Sequence, residues 1–393
     1  MEIRNIIYLP LLLSIFLSSV ATAAIDDNAS VVNLRISCLD GDGSTLNNCF
    51  TGMTTLQNWV DNVRPNPNDV LSIEIGPGTW NTPFTCNSGR NITLRGSGRE
   101  NTIINTTGPA LLLFSDCNIN VQDIKIVGTL NAITVTGGGV GVTTWTNVDV
   151  EGLGYGWSEG CSAGNQSKHF WFSSRIRTKT AFGLARSYST CSENWFFGSE
   201  ITTIATESNT EAVALVMAGS ETHVYGSVVR AISEPGVTLE PASASGAKTV
   251  KGMVTVAAYD SEIHIHGTGI DLISAEPNDV IALLAADPAS MVHTNASSFS
   301  LSTGQGGKIT RIKNDYNADV SSPFMWKQSE EPPTNFVSQN GADMIVETKC
   351  DSTGCHPIPT QNETHLLIYN DSCNYADHGP WFDVVTGKCR GQN

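Results

Sequence analysis

SENWFFGSEITTI from Ser192, SETHVYGSVVRAI from Ser220 and SEIHIHGTGIDLI from Ser261 align with one another without a gap. Two looser copies flank them, HFWFSSRI from His169 and SMVHTNAS from Ser290, and short apolar runs precede the copies, among them AVALV (212–216), MVTVA (253–257) and IALLA (281–285). Self-similarity at a period of roughly 20–50 residues marks a solenoid: one repeat cannot bury its apolar side alone and must stack on the next. Each copy therefore predicts one coil of a single-stranded, right-handed parallel β-helix. The wider step from Ser220 to Ser261 predicts a coil carrying an extra loop over 233–251.

Because side chains alternate across a strand, the most consistently apolar column gives the inward face. That column is Phe196, Val224, Ile265 and Val292. Its neighbours then face outward: Trp195, His223, His264 and Met291 in one row, Phe197, Tyr225, His266 and His293 in the next. Glu193, Glu221 and Glu262 precede the first row by two residues and share its face. Upstream, Phe170 and Phe172 extend the rows, and Trp145 is expected to start the second.

Three readings compete for this face. Rings beside carboxylates suit sugar recognition, since rings bury apolar sugar faces while carboxylates accept hydroxyl hydrogens. That reading makes a polysaccharide the partner and Trp195, Phe197, Tyr225, His223 and His293 the substrate-binding residues. Its catalytic form pairs Glu221 with Glu262 as acid and base on adjacent coils, which implies a polysaccharide lyase or glycoside hydrolase. The second reading is a divalent metal, zinc or calcium, held by His264 and His266 with Glu262, His223 or His293 as third ligand. The third makes the face an interface, covered by the C-terminal tail, by the 233–251 loop or by a second copy in a homo-oligomer. The protein is then a non-catalytic surface adhesin or structural protein.

The N-terminal part carries a family likeness. GDGST (41–45), a predicted helix TTLQNWVDNV (54–63), IEIGPGTW (73–80), NITLRGSG (91–98) and NTII (101–104) follow one another. In that order they resemble the opening of the pectin lyase-like β-helix superfamily, where a helix caps the first coil. The resemblance implies the fold and not the reaction, since that superfamily spans lyases, hydrolases, esterases and adhesins. Its enzyme signatures fail here. EAVAL (211–215) and NWFFG (194–198) look like two pectin methylesterase motifs, but in reversed order and with Asn194 where the aspartate belongs. GQGGKITRIK (304–313) resembles a polygalacturonase loop but has Gln305 in place of its histidine.

Bulk properties narrow the setting. Residues 1–23 read as a secretory signal peptide, an apolar run from Ile6 to Val20 closed by Ala21-Thr22-Ala23. No later run is long enough to span a membrane. The ten cysteines all follow residue 23, as in an oxidising compartment, and chain order suggests the local pairs Cys38–Cys49, Cys86–Cys117, Cys161–Cys191, Cys350–Cys355 and Cys373–Cys389. These features place the protein outside the cell, at its surface or in a periplasm. A net charge of -16, from 22 basic and 38 acidic residues, excludes nucleic acid and anionic membranes as partners. The expected organisation is a β-helix with its N-terminal cap over 24–320, a proline-bearing linker over 321–339 and a cysteine-rich tail over 340–393.

Overall fold

A computed structural model of the 393-residue chain describes residues 31–36, 49–50, 52–62 and 69–314, apart from 88, 115–116, 137–140, 161–166, 246–248, 287–289 and 296, together with short strands after residue 323. The expected signal peptide lies outside the described residues. So do most of the linker and tail.

The fold is all-β and parallel. Its strands fall into three long sheets, here A, B and C, of 15, 10 and 9 strands. The chain visits them in rotation: Asn91–Arg95 in A, Thr102–Thr106 in B, Leu111–Phe114 in C, then Asn118–Gln122 back in A. This last strand lies parallel to the first, Asn91 opposite Asn118. The same circuit continues to Ile309–Asn314, an arrangement compatible with a β-helix. Among the described residues the one α-helix is Met53–Asn62, one residue from its expected start, and it buries Met53, Leu56 and Val60 against the first coils.

The repeat is explained residue by residue. Between sheets A and B the chain turns through a left-handed residue in successive coils: Asp123, Asn147, Ser173, Gly198, Gly226 and Gly267, with φ between 50° and 56°. Glycine, aspartate and asparagine tolerate that conformation best, hence the recurring glycine in the copies. From Ser173 onward a hydroxyl residue follows and caps the backbone of the previous coil: Ser174 N–H donates to Ser199 Oγ (3.2 Å), Ser199 N–H to Ser227 Oγ (3.0 Å) and Ser227 N–H to Thr268 Oγ1 (3.4 Å). At the corner between C and A the leading serines do the same, Ser192 N–H to Ser220 Oγ (3.4 Å) and Ser220 N–H to Ser261 Oγ (3.0 Å). Each copy therefore reads as corner hydroxyl, strand of sheet A, left-handed corner, corner hydroxyl.

Inside sheet A the rings pack face to face. Trp145 stacks on Trp171 (4.8 Å, 12°) and Trp171 on Phe196 (5.9 Å, 13°), followed in register by Val224 and Ile265. This corrects the outward placement expected for Trp145. It pairs with Trp171, not with the outward Phe172, and is fully buried. The wide interior of these coils takes the indole, whose Nε1–H donates to Thr143 Oγ1 at 2.8 Å.

The same interior holds a buried histidine–glutamate pair. His169 Nε2 lies 3.1 Å from Glu159 Oε1, and both side chains are at most 1% exposed. Thr143 Oγ1 contacts His169 Nδ1 at 2.6 Å, and Ser189 Oγ donates to Glu159 Oε2 at 2.7 Å. Burial alone would raise the Glu159 carboxyl, but the His169 charge and the hydrogen bonds from His169, Ser189 and Ser192 outweigh it and hold the group below its ordinary 4.5.

The 233–251 insertion packs on sheet C. Its hairpin, Ser243–Ala244 against Val250–Lys251, shares an apolar cluster with the outward residues Val213, Val216, Val254, Ala257, Ile281 and Leu284. Fully burying side chains of this kind contributes about 1.5–3 kcal/mol each. The loop is held there by Leu239 N–H donating to Asn278 Oδ1 (2.8 Å) and by a Tyr259 hydroxyl bond to the Thr249 carbonyl.

Cys86 and Cys117 form the expected disulfide, Cα atoms 5.9 Å apart. Cys191 is also disulfide-bonded. Cys350 and Cys355 face each other across a hairpin, while Cys38, Cys161 and Cys373 lie outside the described residues.

Candidate functional site

The candidate site on the outward face of sheet A centres on three strands, Ser192–Phe197, Glu221–Tyr225 and Glu262–His266, paired in parallel with Glu193 opposite Glu221 opposite Glu262. Alternation makes every second residue of each strand, starting from its glutamate, face out together, and parallel register then stacks like on like about 4.8 Å apart. The expected rows form. In the first, Phe170, Trp195, His223 and His264 stack with centroid separations of 6.4, 3.8 and 4.7 Å. In the second, Phe172, Phe197, Tyr225 and His266 stack at 5.1, 5.4 and 5.1 Å. All six pairs lie within 19° of parallel, so each inner ring has both faces covered by its neighbours. Solvent meets ring edges and polar tips.

The carboxylates complete a repeating unit that the sequence pattern left unjoined. Glu193 Oε1 accepts from Trp195 Nε1 at 2.8 Å, Glu221 Oε1 lies 2.9 Å from His223 Nε2, and Glu262 Oε1 lies 2.9 Å from His264 Nε2. Each Glu-x-ring step of the chain is thus a bonded pair, repeated on three coils. Lys168 adds an ion pair to Glu193 at 2.5 Å. Burial would raise the Glu193 carboxyl, but hydrogen bonds from Lys168 and Trp195 hold it low.

Two of the imidazoles, His223 and His266, are shifted toward the neutral form. His223 falls below its ordinary 6.5 because burial disfavours the cation and His264 repels it, which the Glu221 bond only partly offsets. His266 falls for the same first reason, then through His264 and His223. Tyr225 is pushed up by burial and by Glu221. Neutral imidazole is the form that ligates metals and exchanges hydrogen bonds with uncharged partners.

His293 belongs elsewhere in the pattern. The sequence alignment sets Val292 beside Ile265, putting His293 in the second row. The strands instead pair Val292 with Ile263 and His293 with His264, two residues along, which sets position 293 in register with His264 and not with His266. His264 and His266, expected as a metal pair, occupy different rows with ring centroids 6.4 Å apart. The group whose ligand atoms converge is Glu221, His223 and His264, all within 4.8 Å of one another.

Glu221 and Glu262 are brought together as expected, as direct register partners, each tied to its own histidine. Asn194, at the failed aspartate position, is fully buried and donates to Thr222 Oγ1 at 3.2 Å. With the insertion placed on sheet C, one of the covers expected for the outer face is excluded. No helix among the described residues is long and apolar enough to cross a membrane. No protein-family model, no curated protein and no solved structure matches the chain.

Proposed function

We propose that this chain is a secreted, right-handed, pectin lyase-like parallel β-helix that binds polysaccharide along the outer face of sheet A without cleaving it. The observation that carries the reading is the bonded Glu-x-ring unit repeated on three successive coils. A polar motif repeated once per coil is complementary to a ligand that also repeats, and carboxylates with ring N–H groups suit the hydroxyls of a sugar chain. The handedness follows from the rule that parallel crossovers are right-handed in nearly all cases. A leader-like N-terminus and buried disulfide chemistry support export to an oxidising compartment.

Binding is favoured over cleavage on geometric grounds. A glycosidase sets its two carboxyl groups on either side of the scissile bond. Glu221 and Glu262 instead lie side by side on one sheet face, each engaged by an imidazole. The stacked rows also shift the expected mode of recognition, from ring faces to ring edges and polar tips.

The test is a glycan-array and depolymerisation screen of the mature chain beside the double variant Trp195→Ala, Tyr225→Ala. The expected result is binding to at least one polysaccharide, at least ten-fold weaker in the variant, with no products. Product release abolished by Glu262→Gln would replace this reading with a catalytic one; binding unchanged in the double variant would remove the face from the account.

A further inference from the structure

The geometry points to a transition-metal site on this face, formed by Glu221, His223 and His264 and suited to Zn²⁺ or a similar borderline dication. The site joins two coils. Glu221 and His223 come from one strand and His264 from the next, where it is the register partner of His223. One ligand atom from each lies within 4.8 Å of the other two, so side-chain rotation alone can bring all three onto a single ion.

Donor chemistry selects the metal class. Two imidazoles and one carboxylate match zinc and its neighbours, whereas calcium and magnesium take oxygen donors. Such a three-ligand set leaves a fourth position for water or an exogenous ligand. Here that position faces solvent, because the Glu221 side chain is 55% exposed and that of His264 17%.

A second observation marks the site independently. His223 Nδ1 is buried and has no hydrogen-bond partner, on a residue only 9% exposed. A buried orphan nitrogen costs free energy, and one ring turn lets His223 reassign its two nitrogens between metal and carboxylate. One of the two rings must also rotate out of the stack, because the His223 and His264 planes lie only 6° from parallel and one ion cannot sit in both. Glu262, 2.9 Å from His264 Nε2, stands beside the site as a neighbouring carboxylate that orients the ligand ring.

The site does not depend on glycan binding, and its test contains no glycan. The mature full-length chain, stripped with chelator, is titrated with Zn²⁺ by calorimetry and with Co²⁺ by visible absorption, alongside variants whose thermal unfolding shows them folded. The expected result is one ion per chain on this face. His264→Ala and His223→Ala abolish it, Glu221→Gln weakens it at least ten-fold, and His266→Ala leaves it unchanged. Absence of uptake by the folded wild type would overturn the proposal. Uptake that survives in folded His264→Ala and Glu221→Gln would overturn it too, since the ion would then sit on other histidines.

Discussion

Histidine–glutamate contacts on the two sides of the same sheet behave as opposites. Inside, His169 and Glu159 lie 3.1 Å apart at no more than 1% exposure, closed in by Thr143 and Ser189. Outside, His223 and His264 meet Glu221 and Glu262 at 2.9 Å, with the glutamates 55% and 45% exposed. The separations are nearly equal, so distance does not distinguish them. What differs is the medium. In the interior each partner supplies the hydrogen bond that water cannot, and the pair fixes structure. At the surface water can replace either partner, so the carboxylates are free to trade their imidazoles for a ligand.

Breaking the inner pair should have the largest effect. Disrupting a buried hydrogen-bonded group costs about 1–3 kcal/mol, and more for a charged one such as the Glu159 carboxylate, so Glu159→Gln should lower the urea midpoint well below that of wild type. A shift as small as that of a surface variant would erase the contrast between the two faces. Truncating the inner ring stack should rank beside it: Trp171→Ala, in a fully buried position, should lose about 3–5 kcal/mol. Equal loss from Trp195→Ala on the outer row would mean that both faces are core.

Acid should separate the two regions in order. On the outer face His223 and His266 have folded pKa values lowered from 6.5. The unfolded chain therefore binds more protons as pH drops below 6.5, and the stability they contribute above that value is lost as pH falls toward their folded values. Glu159 is likewise lowered, from 4.5, so its contribution is complete above 4.5 and is lost only on further acidification. Thermal melts across this range should show a shallow decline first and a steeper one later, the second absent in Glu159→Gln. A single acid transition unchanged in that variant would contradict the assignment.

The smallest stability effect belongs to the outer carboxylates. Glu221→Gln and Glu262→Gln should each change unfolding free energy by less than about 1 kcal/mol, as exposed pairs do.

Much of this contrast was legible in the sequence. The apolar column Phe196, Val224, Ile265 fixed which side of each strand faces in, because a strand's period of two leaves no other choice. Parity could not fix register. Val292 points inward whether it is set beside Ile263 or Ile265, and the two-residue slip set position 293 beside His266 instead of His264. The corner serines carried the missing signal. Ser290, fully buried, donates to the Ala258 carbonyl at 2.9 Å, and aligning it with Ser261 gives the observed pairing of Val292 with Ile263. Trp145 was misplaced for a related reason, since an aromatic residue suits either face and only its pairing with Trp171 decides. The Glu159–His169 contact had no sequence signature at all. Glu159 ends a strand of sheet C and His169 lies in the next strand of sheet A, so neither periodicity nor spacing joins them.

The account stands most directly on the repeated carboxylate unit. The decisive measurement is the affinity of the mature chain for a polysaccharide identified by array, compared with that of the triple variant Glu193→Gln, Glu221→Gln, Glu262→Gln at matched thermal stability. The account predicts at least a hundred-fold loss in the triple variant with its fold intact. Undiminished affinity in a folded triple variant would contradict it.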